Sequence, residues 1–279
     1  MSKNDLAIII PAYKGRFLKE TLISLTQQTN QNFHVYIGDD HSPEGLYDII
    51  KPFRDKLQLT YHRFSENQGQ INLSLHWHRS IEMSKNEPWI WLFSDDDLME
   101  SNCVEAFFQT LTKHPDNSLF RFSQSIINAE SNVLKHCNIP AWQTSSKLLR
   151  DRLLYRRSLF VVDGIFSRAI YQTHGFIDFP AAWCTDDATW IRYGEQQGII
   201  GMVNKVDGKV PRVYWRYSGD NISSNRNSTE VVNQKKEAVV AYKNWLKEME
   251  KEGLIEFNPL FLSFWAFWMK HRILGQVKL

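Results

Sequence analysis

The chain has 279 residues, with 33 Lys and Arg against 31 Asp and Glu. That length suits one large α/β domain, or a nucleotide-binding domain with a smaller acceptor-binding extension. A formal net charge of +2, with no stripe of cations and interleaved aromatics, gives no electrostatic argument for DNA or RNA, and no nucleic-acid partner is expected.

The first part alternates β-branched runs with helical patterns, the mark of βαβ units and a mostly parallel sheet. Leu6 to Ile10 is predicted as a strand, Phe17 to Gln28 as a helix, Phe33 to Gly38 as a strand and Leu46 to Phe53 as a helix. Leu57 to Arg63 is a third strand, Asn72 to Met83 a helix and Trp89 to Phe93 a fourth strand. Val104, Phe107, Phe108 and Leu111 mark the buried face of the next helix. After Pro115 the rhythm loosens, and antiparallel strands are expected. Predicted there are a strand at Leu119 to Ile127, a turn at Glu130 to Asn132, a helix near Ser145 to Arg157 and a strand at Val161 to Phe166. A helix from Asp187 to Gln197, a strand near Val210 to Tyr217 and a loop from Ser218 to Ser228 follow. Thr229 to Lys251 and Phe257 to Leu279 read as helices. The three cysteines, Cys103, Cys137 and Cys184, lack CxxC spacing, so no disulfide framework or zinc site is expected and a cytoplasmic setting is predicted. No signal-type leader and no bilayer-spanning run is read, giving a soluble or membrane-surface protein.

Ligands of parallel α/β sheets sit at the carboxyl ends of strands, so polar residues there are the first candidates. Strand one ends in Pro11, Ala12 and Tyr13, strand two in Asp39 and Asp40, and strand four in Ser94, Asp95, Asp96 and Asp97. Three adjacent carboxylates repel one another and call for a divalent cation, and oxygen-only ligands favour Mg or Mn. The competing reading of the triplet is a solvated turn and helix cap. Neither GxGxxG nor a P-loop is present, so a metal would have to neutralise bound phosphates. Asp186 and Asp187 at a helix start suit a general base, with Trp183, Trp190 and Arg192 as the expected acceptor contacts. His76 and His78 read as ordinary helix residues.

Together these segments resemble the inverting glycosyltransferases of glycosyltransferase family 2, which have the GT-A fold. The matching stretches are LAIIIPAYKGRFLKETLISLTQQ, FHVYIGDDHSPEG, ENQGQINLSLHWHRSIEMSKNEPWIWLFSDDDLM, TDDATWIRYGEQQG and YWRYSGDNISS. They run in the family's order to about Ser224, about four-fifths of the chain. The resemblance implies a Rossmann-like, mixed but mostly parallel sheet flanked by helices. It divides the chain into a catalytic domain at 1–224, with a nucleotide-binding half at 1–115 and an acceptor-binding half at 116–224, and a C-terminal helical extension at 225–279. Pro11, Ala12 and Tyr13 should line the nucleoside, Asp40 should reach the base with Asp39 nearby, and Asn67 and Gly69 should border the nucleotide. Asp95, Asp96 and Asp97 occupy the DXD position, one touching ribose and at least one the metal. Asp187 matches the family's base and Asp186 the preceding Glu. Two departures stand out. The arginine usual in the Asn-Gly helix segment is missing around Asn72 to Leu75, and Ser218 replaces a metal-binding histidine.

The implied reaction moves a sugar from a nucleoside diphosphate, most commonly UDP in the family, to a hydroxyl of a glycan or lipid-linked saccharide, as in bacterial surface polysaccharide assembly. Two readings stand for the aromatic stripe of the last helix: peripheral contact with the inner face of the membrane, or packing on the catalytic domain or across a homodimer. A sugar-nucleotide nucleotidyltransferase and a silent sugar-nucleotide-binding scaffold are the alternatives. The first wants a glycine-rich loop where Pro11 to Phe17 offers only Gly15 and Arg16; Ser218 motivates the second.

Overall fold

The computed structural model describes residues 5–156, 158–219 and 228–273. In β1 (Leu6–Ala12), Leu6, Ile8, Ile10 and Ala12 enter one hydrophobic cluster while Ala7 and Ile9 enter another on the opposite face. A strand apolar on both faces needs helices on both, which crossover connections supply. Then come α1 (Leu18–Thr26), β2 (Phe33–Asp39), α2 (Leu46–Ile50) with a 3-10 turn at Lys51–Phe53, β3 (Leu59–Arg63), α3 (Leu73–Ile81) and β4 (Trp89–Leu92). Asn72 caps α3, its side chain accepting from the backbone N–H groups of Ser74 and Leu75. Thus the first half follows the βαβ rhythm of the sequence.

The second half is β5 (Leu98–Met99), α4 (Cys103–Lys113), β6 (Leu119–Ile127), β7 (Val133–Cys137), β8 (Trp142–Gln143), α5 (Ser145–Leu153), β9 (Gly164–Ser167), α6 (Arg168–His174), α7 (Thr185–Tyr193), β10 (Ile199–Met202), β11 (Arg212–Arg216), α8 (Thr229–Lys251) and α9 (Pro259–Ile273). The main sheet runs β3-β2-β1-β4-β9-β6-β10-β8, and β11 joins β6 to β5. β1, β2, β3 and β4 are mutually parallel, as are β6, β10 and β11, while β9 is antiparallel to both β4 and β6. The carboxyl ends of β1, β2, β4, β6 and β11 therefore share one rim with the amino end of β9. That rim holds the candidate site.

Three boundaries differ from expectation for physical reasons. The strand expected from Val161 starts only at Gly164, because Val161–Asp163 is a 3-10 turn in which the Asp163 carboxylate accepts from Phe160 N–H. Arg121 grips the same carboxylate with two hydrogen bonds of 2.7 Å. The helix expected from Asp187 starts two residues earlier and stops at Tyr193, before Gly194. The helix near Ser145 ends at Leu153, short of Arg157. The loop expected at Ser218 to Ser228, the boundary expected at 224 and the end of the last helix lie wholly or partly outside the described residues.

Helices α8 and α9 pack on the β1 face that carries Ala7 and Ile9, where Tyr242, Leu246, Trp265 and Met269 join Ile90 and Leu92 in one cluster. The aromatic stripe of α9 is divided: Trp265 is fully buried, while Phe264 and Phe267 are exposed at 46% and 58%. No helix among the described residues is long and apolar enough to cross a membrane.

Candidate active site

The end of β1 is the floor of the nucleotide side. Ala12 is buried in the core and its carbonyl accepts from Asp40 N–H at 2.8 Å, whereas Tyr13 is exposed. The N–H groups of Tyr13 and Lys14 both donate to Asp95 Oδ2 at 2.8 Å. This ties the end of β4 to the end of β1.

Asp39 and Asp40, expected at the nucleotide, are both tied into hydrogen-bond networks at the end of β2. Asp39 is fully buried, accepts from Ser42 N–H (2.7 Å) and Tyr61 O–H (2.6 Å), and faces Arg63 at 3.5 Å. Asp40 Oδ1 accepts from Gln68 N–H and Arg79, and Oδ2 from Gly69 N–H at 2.8 Å. Asp40 thereby holds the loop at Gln68 and Gly69 down on the end of β2. Asn67 shapes that loop by accepting from Gln70 N–H. Gly69 is required there, since a Cβ would stand 2.6 Å from Asp40 Oδ2. Arg79, about one turn past Leu75 on α3, donates to Asp40 and to Glu66 C=O, with its guanidinium 3.9 Å from the Phe64 ring centre. His76 is more than a surface helix residue: it lies 3.5 Å from Asp40, and burial pushes its pKa down to about 4, so it is neutral at pH 7.

Asp97 is the innermost carboxylate of the triplet. Its Oδ1 accepts from Arg216 N–H at 2.8 Å, and its Oδ2 is buried without a hydrogen-bond partner. Burial, then the charge of Asp96, raises its pKa well above the usual range. Burial and Asp95 likewise push Asp96 up to about 7. No three His, Cys, Asp or Glu side chains among the described residues converge as a complete metal cage. The triplet still fits a divalent ion of the kind that takes one or two carboxylates and completes its shell with phosphate and water, because the orphaned Asp97 oxygen lacks the partner such an ion would be.

Arg216, unnoticed in the sequence as a functional residue, organises this rim. It is fully buried and donates from Nε to Asp96 C=O (2.8 Å), from Nη1 to Ala129 C=O and Ser131 Oγ, and from Nη2 to Glu20. Its guanidinium also sits 4.2 Å from the Phe17 ring centre. Ser218 follows two residues later in the chain. The nearest sequence signal was the Arg216, Tyr217, Ser218 run itself, read only for its missing histidine.

Trp215 of β11 stacks on Phe160 at 4.4 Å, and Phe160 N–H leads to Asp163. Asp163 in turn lies within the electrostatic field of Asp186, in the second acidic pair at the start of α7. Ala181, Ala182 and Cys184 all have left-handed backbone, with φ of 56°, 50° and 70°. Non-glycine residues there cost about 1–2 kcal/mol each, and such strain gathers at functional sites. The pair is split by environment. Asp187 is 1% exposed, and both its oxygens accept from Arg152 Nε at 2.8 and 2.7 Å. Asp186 is half-buried. Burial, then the charge of Asp187, pushes Asp186 up to about 8 against the pull of Arg152. Asp187, expected as the base, is the inner, ion-paired member of the two.

Two expected acceptor contacts are corrected. Trp190 is fully buried beneath Gly164, where an added Cβ would meet its ring at 2.7 Å, so it is core. Arg192 pairs with Glu195 at 2.8 Å and reaches Met249 Sδ at 3.5 Å, held toward α8. Trp183 remains near the pair, with the Lys235 ammonium 4.7 Å and the Arg272 guanidinium 5.7 Å from its ring centre.

A mostly parallel sheet with acidic strand ends gathered on one rim, and one reversed strand inside it, defines an α/β protein of the GT-A fold. The chain belongs to glycosyl transferase family 2, whose profile matches residues 7–173, more than half of it. It is similar to RP339, an uncharacterized glycosyltransferase of Rickettsia prowazekii, at 21% identity over 258 residues, covering 90% of this chain and 74% of the relative. Among solved structures it resembles S. aureus TarS 1-349 in complex with UDP-GlcNAc (TM-score 0.63, 18% identity, 97% of this chain and 72% of that one). It also resembles the mannosyltransferase PcManGT from Pyrobaculum calidifontis in complex with GDP-Man and Mn2+ (TM-score 0.61, 13% identity, 99% and 74%). Against other matches it spans less, 56% of one curated relative and 64% of one solved chain. At these identities the structural likeness shows the fold.

Proposed function

We propose that this chain transfers a sugar from a nucleoside diphosphate, with UDP the favoured base, to an acceptor hydroxyl with inversion at the anomeric carbon. The observation that carries the reading is the buried, partnerless Asp97 oxygen on the same rim as a second, differently tuned carboxylate pair. The nucleoside lies along Pro11, Ala12 and Tyr13, bordered by the loop that Asp40 holds. Asp97, with Asp96 and Asp95 beside it, would hold Mn or Mg, which when bound offsets the charge growing on the departing diphosphate. Asp186 accepts the acceptor proton as the acceptor oxygen bonds to the anomeric carbon and the bond to the diphosphate oxygen breaks, its electron pair leaving with the diphosphate. Burial raises the Asp187 pKa and the Arg152 ion pair pulls it back, while burial and then the charge of Asp187 make Asp186 the more basic carboxylate.

The acceptor class is a glycan or lipid-linked saccharide, in a bacterial surface polysaccharide role that suits the origin of the first relative. The exposed Phe264 and Phe267 of α9 are the face for contact with the inner surface of the membrane or with a second copy. UDP and GDP titrated calorimetrically into wild type and Asp97→Asn, with Mn and with EDTA, test the donor site. Metal-dependent binding lost in the variant is expected; no binding of either nucleotide to wild type overturns the reading. Binding without turnover of any UDP-sugar would favour the silent scaffold that Ser218 motivates.

A further inference from the structure

We propose that the acceptor carries an oxyanion, a phosphate or a carboxylate, close to the hydroxyl it offers, and that Arg272 and Trp183 bind it. This rests on the transferase reading above. The ground for it is a set of hydrogen-bond donors without acceptors beside Asp186 and Asp187.

Arg272, in the last turn of α9, makes no hydrogen bond and no ion pair among the described residues; its guanidinium lies over the Trp183 ring. Arg152 on α5 acts on it as a charge of the same sign, and Lys235 shares the Trp183 ring with it. Burial, then Arg152, lowers the Arg272 pKa, as expected of like charges held together away from water. Arg152 is neutralised by Asp187. Arg272 feels the same carboxylate only at longer range, without forming an ion pair among the described residues. Trp183 Nε1 and the Tyr242 hydroxyl are also buried without partners. Tyr242 belongs to the same neighbourhood, packing on Trp265 at 5.0 Å and lying within the fields of Asp187, Cys184, Arg152 and Asp186.

Each buried polar group left unpaired costs about 1–3 kcal/mol, so the set demands a ligand. A guanidinium and an indole N–H only donate. The chemistry that satisfies them is a group that only accepts, carries negative charge and matches the planar fork of an arginine. A neutral saccharide offers hydroxyls but gives Arg272 no ion-pair partner. Trp183 precedes Asp186 by three residues, so an oxyanion bound there brings the adjoining hydroxyl of the acceptor to the proposed base.

Crystals of the full chain soaked in tungstate, with UDP and Mn present to fill the donor diphosphate site, read this directly. An anomalous peak within hydrogen-bonding reach of Arg272 is expected in wild type and absent from Arg272→Gln, whose own crystals report its fold. No peak at Arg272 in wild type, or an equal peak in the variant, overturns the proposal. The calorimetric nucleotide titration reports separately on the transferase reading, so the two can fail independently. Kinetics with matched acceptors bearing a phosphate, a uronate carboxylate or neither then distinguish the sources of the oxyanion. The preferred charged acceptor should have a KM lower by about tenfold or more than its neutral counterpart, and Arg272→Gln should erase that difference with a smaller change in kcat. Equal KM values for all three acceptors with wild type would also refute it.

Discussion

The different settings of Asp186 and Asp187 predict two different mutant phenotypes from neighbouring carboxylates of the same chemistry. Asp186→Asn removes the group assigned to accept the proton, so kcat should fall by roughly 10²–10⁴ while the urea midpoint stays close to that of wild type. Asp187→Asn leaves Arg152, itself only 8% exposed, with its charge buried and unpaired, and breaking such a pair costs about 3–5 kcal/mol. Its signature is a stability loss in denaturant titrations, with activity lost through folding and positioning. The pH dependence separates them further. Asp186 faces Asp187 and Cys184 on its own element, Arg152 from α5, Asp163 from the turn before β9 and Tyr242 from α8. With Asp186 pushed up to about 8, kcat/KM should climb with pH through about 8 as it becomes a carboxylate, and Asp186→Asn should flatten that limb. Stability moves the other way. Between the unfolded value near about 4 and the folded value, the folded chain holds a proton that the unfolded chain has released, so this group's contribution falls as pH rises across that window. An Asp187→Asn enzyme with wild-type stability and a kcat loss of two decades or more, beside an active Asp186→Asn, would refute the assignment.

Three further outcomes follow from the nucleotide side. Mn or Mg should raise the wild-type Tm, EDTA should reverse it, and Asp97→Asn should abolish the metal-induced rise; a persisting rise would place the ion elsewhere. Arg216→Met should cost about 3 kcal/mol or more in urea unfolding, because it removes a fully buried guanidinium together with its hydrogen bonds to Asp96, Ala129, Ser131 and Glu20, and a loss below about 1 kcal/mol would show that the rim holds without it. Gly69→Ala should weaken UDP binding measured calorimetrically by about tenfold by driving the loop off Asp40, and unchanged affinity would show that the loop does not border the nucleotide.

The sheet was legible wherever one apolar run met one helix, as in Leu6–Ala12 and Thr229–Lys251, because hydrophobic period and burial coincide there. Legibility failed where a charge sat inside an apolar run. Asp163 turned an expected strand into a 3-10 turn, since a buried carboxylate must find donors before the ladder can begin. Short pieces such as β5 and β10 owe their conformation to partners distant in sequence. In the site, the triplet could be read because like charges in a row are improbable without a counter-ion. The division of labour between Asp39 and the cleft, or between Asp186 and Asp187, could not, since Tyr61 and Arg152 settle it from other elements. Trp190 misled for a similar reason: an aromatic after a carboxylate pair looks like a sugar platform until the sheet beside it proves to carry Gly164.

The left-handed residues ahead of α7 carry a consequence for engineering. Ala181→Gly, Ala182→Gly and Cys184→Gly would each relieve backbone strain at little steric cost, so a screen for thermostability should find gains on this turn. Glycine would also widen the range of entry angles open to α7 and so blur the placement of Asp186. Variants selected for heat resistance here should therefore turn over more slowly, a trade that a natural sequence with alanine and cysteine at these positions has declined.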